Sequence, residues 1–339
     1  MSTHAVNVIR IPEVTKHPMA DTLGMVKIGG YTCVIKLGSF LEGDLAVYIE
    51  PDYVVPEGRP EFAFLGEHRR IKARKFRGVY SHGLLIAAEP DMHEGDNVME
   101  RLGITRYEPV LEGDADEVPH ASLSGLSAYD VENWRSTAKG VTPRAWRDLF
   151  VPGEEVIVTE KIHGEAARFA WREGRMWISS RNRWKLLDSA TSWARALRDN
   201  PWLTHWCREH EDSVLFGEVH GHVKGFDYGV PKGKIGFRAF DRKIFGVWQD
   251  ARDFFGHYTD AKDLPTARPG VTLGANFLVP LIYHGPYNHA LMEELAEGDS
   301  LIGKHMREGI VIKPAVERLD PELGRVSLKL VSNRYLEKS

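Results

Sequence analysis

Apolar and polar residues alternate with period two over much of this chain, so most of its secondary structure is expected to be strand. In the N-terminal part, short strand text such as Gly24-Met25-Val26-Lys27-Ile28-Gly29-Gly30, Tyr31-Thr32-Cys33-Val34-Ile35 and Gly43-Asp44-Leu45-Ala46-Val47-Tyr48-Ile49 is punctuated by glycine turns. Closely spaced strands without long helices predict a small barrel over residues 1–102. A polar stretch without periodicity, containing Asp114-Ala115-Asp116-Glu117 and Pro119, reads as a linker over 103–128. Residues 129–339 form the second domain. There Glu154-Glu155-Val156-Ile157-Val158-Thr159 has apolar residues on both faces, as in a strand covered on both sides. The stretch from Ser189 to Glu211 has the helical period and is interrupted at Pro201, and its tryptophans read as packing.

Composition narrows the class. The chain has 339 residues, 42% of them hydrophobic, enough for two proper cores. No apolar run is long enough to span a bilayer and no leader is legible at Met1, and Cys33 and Cys207 are too few for a disulfide framework. These features predict a cytoplasmic location, and the chain is expected to be a monomer. A formal net charge of −4 gives no global attraction to nucleic acid, so any such contact needs a local patch. One is present, Arg69-Arg70-Ile71-Lys72-Ala73-Arg74-Lys75-Phe76-Arg77-Gly78, in which cations to track a phosphate backbone are interleaved with Ile71 and Phe76, the aromatic one able to stack on a base. Arg74, Lys75 and Arg77 are its candidate contacts. The alternative is a solvated strand edge guarded by charge.

The candidate chemistry begins at Glu160-Lys161-Ile162-His163-Gly164-Glu165, a lysine at a strand end just before a glycine. Such an amine can be partly desolvated and so act as a nucleophile. Downstream, in order, come Ser179-Ser180-Arg181-Asn182-Arg183, Leu215-Phe216-Gly217-Glu218-Val219, Phe237-Arg238-Ala239-Phe240-Asp241, Arg307-Glu308-Gly309-Ile310-Val311-Ile312-Lys313 and Val326-Ser327-Leu328-Lys329-Leu330. Together these strings resemble the covalent nucleotidyltransferases, the superfamily of ATP-dependent ligases and capping enzymes. Glu160-to-Glu165 with Arg307-to-Lys313 is most similar to the RNA-ligase-2-like branch. A barrel placed before the nucleotidyltransferase domain resembles the Deinococcus and Naegleria type of RNA ligase.

The resemblance implies an α+β protein: an N-terminal OB-fold barrel followed by an antiparallel-sheet, ATP-grasp-like ligase domain with helices. It implies ATP with Mg²⁺ or Mn²⁺ as cofactors, and RNA or an RNA-containing nicked duplex as partner. Lys161 would take AMP, with His163, Lys313 and Lys329 as further catalytic residues. Glu160, Gly164, Arg181, Glu218, Phe240, Lys313 and Lys329 would surround the nucleotide: Phe240 stacked on the purine, Glu160 at the base edge, Arg181 at phosphate or sugar. Glu218 and Glu308 would hold the metal through water, as suits an ion that keeps several waters. Phe237 is expected in the core. The implied activity is sealing of 3′-OH/5′-phosphate breaks through lysyl-AMP and an adenylylated 5′ end.

Two motifs depart from the pattern: Glu165 and Ala166 replace small polar residues, and Ser327 replaces the first lysine of the last motif, with Arg325 or Lys304 as substitutes for its charge. Glu308 and Lys313, five apart, fall on opposite faces of a regular strand, so a bulge or twist is needed to bring both to one pocket. Alternative readings are a DNA ligase, a capping-type enzyme, or a catalytically silent RNA-binding protein. The absence of a domain after the last motif speaks against the first two, and Lys161 with its carboxylates against the third.

Overall fold

The computed structural model describes residues 5–107, 118–124, 126, 129–136, 145–221, 223–259 and 277–338. The chain divides into two compact units, one of residues 2–110, 133–148 and 333–339, the other chiefly of residues 111–132 and 149–332.

The first unit is mostly strand around two small cores. Asn7–Arg10, Leu45–Ile49 and Leu84–Ala87 form one antiparallel sheet, and Val14–Lys16, Leu23–Ile28 and Tyr31–Lys36 another. Alternation in Leu45–Ile49 sends Val47 and Ile49 to one core with Val8, Phe62 and Ile71, and Ala46 and Tyr48 to the other with Val26, Tyr31, Cys33 and Ile35. The basic stretch folds as a hairpin, Arg74–Phe76 against Val79–Ser81, closed by Arg77 and Gly78 at φ 42° and 94°. Two consecutive positive φ angles give the turn twist that a two-residue hairpin requires, and glycine at the second adopts it without steric strain. Thr105–Arg106 pairs with Tyr53–Val54 and Ile104 is buried, so this unit runs past residue 102. Of the predicted linker, residues 108–117, 125, 127 and 128 lie outside the described residues. Residues 133–136 and the final helix Asn333–Lys338 belong to the first unit. Buried Arg135 donates to Asn333 Oδ1 at 3.2 Å, and His82 Nε2 meets the same oxygen at 2.7 Å.

The second unit carries two antiparallel sheets. One runs Trp184–Lys185, Arg175–Ser179, Glu165–Arg172, Ser213–His220, Gly236–Ile244, Val247–Trp248; the other contains, in order, Leu328–Val331, Gly309–Pro314, Glu155–Glu160 and Leu281–Pro286. Their shared core includes Ile157, Phe169, Ile178, Leu215, Phe237 and Ala239. The predicted helical stretch is two helices, Ser192–Asp199 and Trp202–Glu209, with Pro201 between them. The first is capped by Thr191, whose side chain accepts from Ala194 N, and Trp193, Leu203 and Trp206 close the core. Strands predominate in both units, helices are few, and the fold is α+β with an N-terminal barrel.

Candidate active site

The strand Glu155–Glu160 ends where the lysine begins. Its neighbour Gly309–Pro314 pairs Ile157 with Lys313 and Thr159 with Val311, and the Lys161 amide continues the ladder to Gly309 O at 2.9 Å. On the far side Val311 pairs with Lys329. Side chains directly opposite in a ladder share a face, so Lys161, Lys313 and Lys329 fall on one face of the sheet, with Ile157 of the shared core.

Glu308 stands just before its strand, where alternation no longer governs it. Gly309 has φ 156°, and a Cβ there would meet Leu330 O at 2.2 Å, so only glycine fits. With the chain turned there, Glu308 Oε1 lies 2.6 Å from Lys161 Nζ and its Oε2 lies 3.4 Å from His163 Nδ1. The turn at Gly309 thus carries Glu308 to Lys161 and His163, whereas Lys313 is bound to Asp241 and Phe240 O. Burial pushes the Glu308 carboxyl up, but Lys161 and His163 outweigh it and hold it below the usual range. Glu218 has the opposite balance. Burial, with Glu308 and Glu165 adding to it and Lys161 opposing, raises its carboxyl to about 8.

Two close contacts fix the loop that follows Lys161. A Cβ on Gly164 would lie 2.1 Å from Val219 O and 3.0 Å from Glu218 Cγ, so glycine lets the loop lie against the Glu218 strand. The His163 amide donates to Tyr228 Oη at 2.6 Å, and the His163 ring sits 4.4 Å from that of Phe226. Glu165 accepts from the Ser192 hydroxyl at the start of a helix, and Ala166 O accepts from Trp193 Nε1 at 3.1 Å, so both departures from the family pattern are bound to that helix.

Lys313 lies in a second cluster. Its side chain is 2% exposed, and Nζ donates to Asp241 Oδ2 and to Phe240 O, both at 2.7 Å. Asp241 Oδ2 also accepts from Arg325 Nη1 at 2.6 Å and Tyr129 Oη at 2.9 Å. Phe240 is partly exposed and packs on Tyr129 at 4.7 Å between centroids, whereas Phe237 is buried in the core.

The remaining candidates are more dispersed. Glu160 is 1% exposed; Oε2 accepts from Leu301 N at 2.8 Å, and Oε1 is buried without a hydrogen-bond partner among the described residues. Arg181 is held by Asp130 at 2.5 Å. In the first unit, Arg69 and Arg70 are paired with Glu57 and Asp52, whereas Arg74, Lys75 and Arg77 are exposed and, among the described residues, have no carboxylate partner. Sequence reading gave no role to Asp241, Tyr129 or Tyr228. The available signal for Asp241 was its place in the motif string Phe237-Arg238-Ala239-Phe240-Asp241, as the one carboxylate of its strand.

Oxygen donors at Glu218 and Glu308 suit a hard divalent cation, and Glu308 Oε2 is a buried acceptor with no hydrogen bond among the described residues. Among the described residues no three of His, Cys, Asp and Glu form a preformed cage, which leaves water to complete any coordination. No described helix is long and apolar enough to cross a membrane.

A family model of RNA ligase matches residues 154–331, and a model of an OB-fold domain matches residues 5–88. No curated protein matches the chain. Among solved structures, a lysine-to-alanine variant of Naegleria gruberi RNA ligase with ATP and Mn is 23% identical with a TM-score of 0.77, covering 99% of both chains. The same protein with PPi gives 23% and 0.76 over 99% of this chain and 98% of that one, and another variant of it with AMP and Mn gives the same values. At these identities the likeness is one of fold. The family match spans more than half of the sequence and contains every motif from Lys161 to Lys329, and the chain belongs to the RNA ligase family.

Proposed function

We propose that this RNA ligase is ATP-dependent and seals 3′-OH/5′-phosphate breaks in nicked RNA-containing duplexes through a lysyl-AMP on Lys161. The observation that carries this reading is the Lys161 amine beside Glu308, on a sheet face shared with Lys313 and Lys329. The nitrogen of Lys161 attacks the α-phosphorus of ATP, a phosphoramide bond forms, and pyrophosphate leaves. AMP then passes to a 5′-phosphate, and the 3′-hydroxyl attacks that phosphate and expels AMP.

In the resting pair, Glu308 Oε1 holds the Lys161 amine at 2.6 Å. Attack therefore requires Glu308 to release Lys161 and the amine to lose its proton. A divalent cation bound by Glu218 and Glu308 would supply positive charge to the phosphates. Lys313 and Lys329 add charge where the phosphoryl oxygens become more negative, Phe240 offers a ring to stack on the purine, and Glu160 Oε1 an acceptor for an amino group on the base. Arg181 adds a cation for phosphate or sugar. The solved relative with ATP and Mn supports this choice of nucleotide and metal. The exposed Arg74, Lys75 and Arg77, not neutralised by carboxylates of the described residues, would grip the nucleic acid.

Mass spectrometry of the purified protein after incubation with ATP and Mg²⁺ or Mn²⁺ tests the first step. One acid-labile, hydroxylamine-stable AMP adduct is expected on Lys161, and none in Lys161→Ala or in Lys161→Arg, whose guanidinium stays protonated. An adduct that persists in Lys161→Ala overturns the assignment.

A further inference from the structure

The last motif carries one lysine, Lys329, and a serine where a second cation is expected. Leu328 pairs with Ile312, so continuing the register by one residue sets Ser327 opposite Lys313; Ser327 is 1% exposed, its Oγ has no hydrogen-bond partner among the described residues, and it brings no charge to that place. Two positions upstream, Arg325 reaches the same place. Its Nη1 lies 2.6 Å from Asp241 Oδ2, the oxygen that Lys313 Nζ approaches at 2.7 Å. The rest of the guanidinium is fixed: Nε donates to Glu317 Oε2 at 2.7 Å, Nη2 to Glu317 Oε1, and the guanidinium carbon lies 3.9 Å from the Trp248 ring centroid.

We propose that Arg325 is a positioning residue for Lys313, replacing from upstream the charge that Ser327 does not carry. A buried carboxylate facing Lys313 alone would form an ion pair in a poorly screened site, which the ammonium could leave only at a high energetic cost. Arg325 shares the neutralisation of Asp241, and Glu317 in turn balances Arg325. The Lys313 ammonium is then held at the site yet free to turn to the α-phosphate. This inference rests on the reading that Lys161 takes AMP from ATP.

The test is single-turnover formation of lysyl-AMP across an ATP series in wild type, Arg325→Gln, Arg325→Lys and the double variant Arg325→Gln/Ser327→Lys, with thermal unfolding of each. Arg325→Gln should slow AMP transfer by roughly 10- to 100-fold at saturating ATP. The double variant should recover most of that loss, because the Ser327→Lys change places an ammonium beside Lys313; a merely structural arginine would not be rescued this way. Arg325→Lys keeps a positive charge for Asp241 but loses the two-pronged contact to Glu317 and the stacking on Trp248, so its rate should fall between those of Arg325→Gln and wild type. If Arg325→Gln does not fold, the double variant and Arg325→Lys decide by their rates against wild type, and a loss in both as large as that expected for Arg325→Gln overturns the proposal. A folded Arg325→Gln that forms lysyl-AMP at the wild-type rate, or one not improved by Ser327→Lys, also overturns it. A wild-type protein that forms no adduct removes the lysyl-AMP reading and this inference together.

Discussion

At the scale of single residues, the site depends on contacts between positions far apart in the chain. The Tyr228 hydroxyl accepts the His163 amide across 65 residues, and this bond holds the loop that carries the nucleophile. Tyr228→Phe keeps the ring against His220 and His305 but leaves that amide unpaired, a loss of about 1–3 kcal/mol if no water replaces it. The expected result is a fall of roughly tenfold in the rate of lysyl-AMP formation with little change in the core. Single-turnover kinetics beside near-ultraviolet circular dichroism measures both, and an unchanged rate would show that the bond is dispensable. Such a contact was not legible beforehand, because nothing in Gly225-Phe226-Asp227-Tyr228 marks it as reaching the His163 amide. The same is true of Asp241, whose partners Lys313, Arg325 and Tyr129 lie 72, 84 and 112 residues away. Lys161, His163 and Gly164 were legible because they fall within one short string from which their chemistry is read.

At the scale of elements, alternation predicted the strand before Lys161 to within a residue, and Pro201 marked the break between two helices. Alternation alone misplaced Glu308, because period two holds only inside a strand and Glu308 precedes one. A different element couples stability to pH. His82, just after the strand Val79–Ser81, is buried against Asn333 at the start of the final helix, and burial, with Arg135 adding to it, lowers the imidazole to about 4. The unfolded chain takes up this proton near the ordinary value of about 6.5. Between those values the unfolded state binds more protons, so the contribution is complete above about 6.5 and is lost as pH falls through about 4. Its full size is on the order of 3 kcal/mol. Urea unfolding of wild type and His82→Gln at stepped pH should show a shallower acid loss in the variant; parallel curves from pH 6.5 to 4 would exclude His82 as the titrating group.

At the scale of the whole molecule, net charge sets the terms of RNA binding. With 48 acidic residues against 44 lysines and arginines, the long-range field does not favour a polyanion. Affinity must come from places where cations are exposed and not neutralised. The hairpin Arg74–Ser81 is such a place, since its three basic side chains face solvent without carboxylate partners among the described residues, while Arg69 and Arg70 nearby are already paired. Removing the entire first unit by truncation would be a poor test, because residues 133–148 and 333–339 belong to that unit and would lose their core. Point substitution avoids this. Arg74→Ala, Lys75→Ala and Arg77→Ala together touch no buried group and should leave the unfolding transition and lysyl-AMP formation close to wild type. Binding to a nicked duplex should weaken, and the slope of log affinity against log salt should become shallower by about one for each phosphate that the variant no longer neutralises, as fewer counterions are released. Fluorescence anisotropy across a salt series reads that slope directly. A triple variant with the wild-type slope would make the hairpin a charged strand edge that only keeps the barrel from pairing with its neighbours, and RNA would have to be held elsewhere.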